Sequence, residues 1–208
     1  MIRSHLLRPS LMRLAAVGAT AVSLSACALL SSPDPVQTYR FGGVSGQAAT
    51  LVADPILVSM RRAELPEASE GDKLLGVTGT ETAYIGGARW ISPASDLFTD
   101  GLENAFASQA TRVRLIGPRE LARSTRALDI DVRSFETRYP APEAVPTVVV
   151  SARVRLLTLP ERQVKEERIF TVEQPAAANR VGAIVEAYDL ATRDLNTQIV
   201  AWTEANAA

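Results

Sequence analysis

Few side chains in this chain of 208 residues are equipped for chemistry. The one thiol, Cys27, and the one imidazole, His5, both fall within the first 27 residues, in a stretch without a single acid. A nucleophilic serine or cysteine needs a base within hydrogen-bond reach, and a zinc site draws mainly on thiolate and imidazole ligands. Asp129 and Asp131 stand two apart, a spacing that a strand holds on one face, as the paired acids of a glycosidase are held. Alternation makes that face the solvent side, and surface charge is the simpler reading. "YIGGAR", from Tyr84 to Arg89, has the glycines of a phosphate loop without its strand-turn-helix spacing, and no Gly-Lys-Ser or Gly-Lys-Thr occurs. It reads as a tight turn.

The position of Cys27 carries more information than its reactivity. Arg3, Arg8 and Arg13 form a basic opening, an apolar run of about 11 residues extends from Leu14 to Leu24, and the small pair Ser25 and Ala26 follows, the order of a secretory signal. A spanning helix needs roughly 20 apolar residues, so this run is too short to be one. The sequence Leu24-Ser25-Ala26-Cys27 resembles the bacterial lipobox, in which the thiol receives a diacylglyceryl group before cleavage. Residues 1–26 are therefore expected to be removed and Cys27 to become a lipidated first residue. Two or three acyl chains, each buried methylene contributing about 0.8 kcal/mol, form a lasting anchor. Ala28, rather than Asp, after the cysteine favours the outer membrane.

Cleavage at this point narrows the function classes. Three of the 22 basic residues leave with the signal and 19 remain against 23 acids, a net charge of −4, so no basic footprint for nucleic acid is left. His5 is lost and the thiol is blocked, which removes Ser-His and Cys-His nucleophile pairs, histidine or thiolate zinc sites and disulfides. Serine-lysine or carboxylate chemistry is what remains to an enzyme, so none is expected, nor any cofactor or metal.

Residues 27–37 contain two prolines among polar residues and read as a tether that can reach about 35 Å fully extended. Residues 38–208 show no second composition shift and no repeat, the size of one domain. Strand periodicity is clearest in "LDIDV", where Leu128, Ile130 and Val132 share a face opposite Asp129 and Asp131. "RSFETRY" continues in the opposite phase, with Phe135, Thr137 and Tyr139 at odd positions, and a bulge near Ser134 reconciles the two. "TVVVSARVRLLTL" alternates again, with Arg153 and Arg155 on the polar side, and a third strand is expected over Arg168 to Val172, giving a meander. "PILVSMRRA", "KLLGVTGT", "TAYIGG" and "RVRLI" read as shorter strands. Two amphipathic helices complete the set. One starts after Ser92, a capping residue before Pro93, and the other runs from about Asn179 to Glu204, with apolar residues recurring at helical spacing from Val181 to Trp202. The expected fold class is α+β, a largely antiparallel sheet with the two helices packed on one face.

The order of these pieces resembles the ABC-type transport auxiliary lipoprotein family, which includes the paraquat-inducible lipoproteins of enterobacteria. The match rests on the lipobox, "TYRF" after the tether, Arg89-Trp90 with Pro93 leading into a helix, "DIDVRSFE" with Phe135, Arg168 with Phe170, and the amphipathic C-terminal helix. The glycine-rich "TAYIGGA" ahead of Arg89 departs from the commoner family pattern. The resemblance implies a protein without an active site that acts with an ABC permease, its ATPase and a mammalian-cell-entry domain protein, moving phospholipid or other hydrophobic molecules between membranes. It also implies self-association around a transport path. Arg89 and Trp90 are the candidate partner interface, tryptophan and arginine being enriched at binding hot spots. The competing reading is an outer-membrane structural or assembly lipoprotein working with an outer-membrane protein complex.

Overall fold

Alternation sets the longest strands, and the computed structural model, which describes residues 36–43 and 46–208, keeps it. The expected signal peptide, Cys27 and most of the expected tether lie outside the described residues. Leu128, Ile130 and Val132 are buried, and after an irregularity between Val132 and Ser134 the inward positions pass to Phe135 and Thr137. The extra residue is Arg133. It supplies the expected bulge and lets one strand keep its apolar side on the core along its whole length.

In chain order the strands are β1 (Gln37–Tyr39), β2 (Ile56–Met60), β3 (Leu75–Thr78), β4 (Glu81–Tyr84), β5 (Ala88–Trp90), β6 (Val113–Ile116), β7 (Arg126–Tyr139), β8 (Thr147–Thr158) and β9 (Gln163–Pro175). The helices are α1 (Glu67–Glu70), α2 (Ala94–Gln109) and α3 (Val181–Asn206). β7, β8 and β9 form the expected antiparallel meander. On its other side β7 takes two parallel partners, β2 against Arg126–Leu128 and β3 against Thr137–Tyr139, with Glu64 bridging to Asp131 between them. β6 adds to β2 in parallel and β4 to β3 antiparallel, completing a seven-stranded sheet, while β1 and β5 pair in parallel as a separate ribbon.

The class is α+β, but the sheet is mixed: three of its six strand pairings in the described residues are parallel, and so is the separate β1–β5 ribbon, which corrects the largely antiparallel expectation. The reason is physical. Alternation reports which face a residue takes, and a tight turn reports an antiparallel neighbour, but a parallel neighbour is reached by a long connection without a local signal. The chain from β2 to β6 passes through α2, and β2 and β3 both precede β7 by dozens of residues.

α3 lies along β8 and β9 and also packs on α2, and both helices enter the same core as the inward side of the sheet. Phe98, Leu102, Ala105 and Phe106 of α2 are buried there, with Ile184, Tyr188, Leu195 and Ile199 of α3. Gln109, at the end of α2, is exposed and donates to Thr197. α2 begins at Ala94 with Pro93 as its cap residue and no side-chain cap bond, so Ser92 does not cap it. α1, a single turn, had no periodic signal, and the third meander strand starts at Gln163 rather than Arg168.

An aromatic cluster joins these elements. The Trp90 ring meets Phe41 edge-on at 4.9 Å and Tyr188 at 5.2 Å, and Phe135 lies 5.1 Å from Phe41 and 4.8 Å from Tyr188. The Thr137 hydroxyl donates to the Tyr188 oxygen at 3.2 Å, and burial pushes that phenol far above its ordinary range.

Candidate interaction surfaces

The side of the meander turned away from the helices is built from the polar positions of the same alternation. Register places Asp129 opposite Arg155 and Asp131 opposite Arg153. Each couple is an ion pair: Arg153 Nη2 donates to Asp131 at 2.9 Å, Arg155 binds Asp129, and Arg133, the bulge residue, reaches Asp131 at 2.9 Å as well. Cross-strand pairs of opposite charge stabilise a sheet by a few tenths of a kcal/mol each. Their chemical meaning is clearer than their energy. Both carboxylates are held by guanidinium groups, an arrangement suited to a fixed, charge-compensated surface and unlike a pair of acids set to share a proton.

β9 carries the second feature. It pairs only with β8, so its other edge is open among the described residues. Residues 163–169 are all exposed, with Val164 and Ile169 presenting apolar side chains on either side of Lys165, Glu166, Glu167 and Arg168. Open edges are templates for strand addition, and charged residues on them restrict which partner is accepted. Nearer the domain, Phe170 and Val172 turn inward, and Ser151 and Thr171 hydrogen-bond across the strands at 2.9 Å.

A groove of about 600 Å³ runs between α2 and β6, floored by Phe106, Ala107 and Leu115. Glu103 lies against Gly117 so closely that a Cβ there would meet Glu103 Oε1 at 2.6 Å. Burial, with help from Asp100 and against the pull of Arg119, pushes the Glu103 carboxyl above its usual range. Arg114 is meanwhile held by Glu120 at the rim.

Arg89 and Trp90, neighbours in sequence, go to opposite sides of β5. Trp90 is only 2% exposed, so it belongs to the core and not to an interface, which corrects half of the expected partner contact. Arg89 faces solvent and binds Asp72 at 2.8 Å. The "YIGGAR" glycines form the turn expected of them, Gly87 having a φ of 70° that favours glycine. Among the described residues no group of His, Cys, Asp and Glu is placed to hold a metal ion, and no helix is long and apolar enough to cross a membrane. Sequence reading missed the length of the β9 edge, because a run of four charged residues looks like a loop.

Fold and surfaces together define an α+β domain whose outward features are a salt-bridged sheet face and an open strand edge. Residues 39–200 match the family described as the ABC-type transport auxiliary lipoprotein component, and the chain belongs to that family. Its fold is similar to that of XCC0632 from Xanthomonas campestris, with 23% identity, a TM-score of 0.70 and coverage of 82% of this chain and 96% of the other. The hypothetical protein CT253 from Chlamydia trachomatis is also similar in fold, at 13% identity and a TM-score of 0.52, over 74% of this chain and 98% of that one. No curated protein matches the sequence. Family membership makes this chain an auxiliary lipoprotein component of ABC-type transport, and a lipoprotein belongs to the membranes of the cell envelope.

Proposed function

We propose that this chain is a non-enzymatic periplasmic subunit, anchored through Cys27 to the outer membrane, of an ABC transporter with a mammalian-cell-entry protein, moving phospholipid or other hydrophobic molecules between membranes. Membership of the auxiliary lipoprotein family over residues 39–200 carries this reading. The open β9 edge supports it, since a subunit that works by contact needs a surface with hydrogen-bonding directionality, and an unpaired strand offers one. The edge is the proposed site of self-association and of contact with the mammalian-cell-entry protein.

Crosslinking in intact cells, followed by mass spectrometry, tests the assignment. A mammalian-cell-entry subunit is expected among the partners, with crosslinks concentrated on residues 163–175, and Ile169→Lys is expected to weaken them while leaving the fold intact. Partners drawn only from an outer-membrane protein complex would replace the transporter assignment with that of an assembly lipoprotein.

A further inference from the structure

The β1·β5 ribbon stands apart from the main sheet and presents one side to solvent. Thr38 pairs with Arg89, so Thr38 and Arg89 point the same way, and alternation adds Val36 and Arg40 at the ends of β1 and Ile91 after β5. The opposite side sends Ala88 and Trp90 into the core. Val36 is 47% exposed and Ile91 63%. Through its bond to Asp72, Arg89 leads to the neighbouring Lys73, whose Nζ sits 4.6 Å over the ring of Tyr84, itself 48% exposed. Of the three cations here, Arg89 is paired with Asp72, while Arg40 and Lys73 have no ion pair among the described residues; of the other carboxylates nearby, Asp189 accepts the Gly42 N–H and is held by Arg193, and Glu81 and Glu143 line a cleft with Tyr84. The nearest other acid in sequence, Glu70, lines a cleft with Arg61 and Arg62 instead.

We propose that this side of the ribbon, with Lys73 and Tyr84, rests on an anionic phospholipid surface. The proposal builds on the lipid anchor at Cys27 and assigns Arg89 to the membrane rather than to a protein partner. Two observations choose that occupant. Val36 is where the tether joins the domain, and the residues between Cys27 and Val36 span at most roughly 30 Å, so this end of the domain is kept within reach of the bilayer. The chemistry also matches, because aliphatic side chains, a tyrosine and the cations Arg40 and Lys73, which have no ion pair among the described residues, are what the boundary between headgroups and acyl chains accepts.

Full-length protein, isolated with its lipid, is reconstituted in vesicles of phosphatidylethanolamine and phosphatidylglycerol containing a brominated phospholipid as a contact quencher of tryptophan. The tryptophan added by Ile91→Trp is expected to be quenched and that of Val164→Trp, on the β9 edge, to stay bright. Arg40→Gln and Lys73→Gln should each lower the docked-to-undocked ratio about fivefold, the factor one basic residue contributes beside an anionic leaflet. Equal quenching at positions 91 and 164, or quenching indifferent to phosphatidylglycerol, would overturn the proposal. So would an Ile91→Trp signal untouched by bromine yet shielded from acrylamide, which would give the face to a protein. If palmitate is not incorporated, the anchor fails separately. The free thiol of Cys27 is then coupled to a maleimide lipid in the same vesicles, and the quenching comparison still decides the surface.

Discussion

Glu204 shows how much one side chain organises. It sits in the last turn of α3, where the helix dipole disfavours a negative charge. Its Oε1 nevertheless accepts the backbone N–H groups of Thr111, Arg112 and Val113 at 2.8, 2.6 and 3.2 Å, and Arg112 Nη2 donates to its carbonyl at 2.7 Å. Partial burial pushes the carboxyl up, but the three N–H donors and the Arg112 guanidinium outweigh it and hold it below the usual range. A carboxyl depressed by folding adds stability above its unfolded value, and that contribution is lost as pH falls through the folded value. Glu204→Ala should therefore cost about 1 kcal/mol at neutral pH, like a lost helix cap whose freed N–H groups water can reach. In urea melts the gap between variant and parent should close as the pH drops below the ordinary carboxylate range. Trp90 makes the opposite case, a residue valued for its bulk. Its indole N–H has no partner among the described residues, so Trp90→Phe surrenders only contact area, whereas Trp90→Ala opens the aromatic cluster at a cost of about 3–5 kcal/mol. Thermal melts that rank the two variants equally would contradict this account.

Among the elements, β7 repays the closest reading because a single residue changes its phase. Arg133 is exposed, and its bond to Asp131 is a surface ion pair, so Arg133→Ala should shift stability by less than about 1 kcal/mol. Deleting Arg133 is a different operation. It would leave Val132 beside Ser134 in an unbroken strand, with Phe135 and Thr137 still inward and Ser134 still opposite Ser151, so the local twist of the bulge is lost but the protein should keep its cooperative melt. Circular dichroism during heating compares the two. The phase change was legible in the sequence, since Val132 and Phe135 cannot share a face in an unbroken strand, and so were α2 and α3, whose stripes repeat over several turns. The partners of β2 and β3 were not legible, because side-chain alternation is identical in parallel and antiparallel strands. The start of β9 was hidden by Lys165, Glu166, Glu167 and Arg168, which favour solvent on both faces and so erase alternation. The burial of Trp90 and exposure of Arg89 follow from a three-residue strand too short to show a period.

For the molecule as a whole, Cys27 is the expected point of attachment, and it stands outside the described residues. Labelled palmitate should mark the native protein and not Cys27→Ser, which should accumulate as an unlipidated precursor; label retained by the variant would end the lipoprotein reading of this cysteine. At the same scale β7 is the meeting point of the sheet, receiving β2 and β3 on one side and β8 on the other. A chain led by a secretory signal crosses the membrane from its N-terminus, so β2 to β6 emerge before the strand that must join them. Until residues 126–139 arrive, two pairs of strands have hydrogen-bonding edges but no common partner, and long-range pairing of this kind is slow. The emerging chain is thus sticky for a definite interval, and a holding chaperone should be needed for the first two-thirds of its length and dispensable once β7 and β8 have closed.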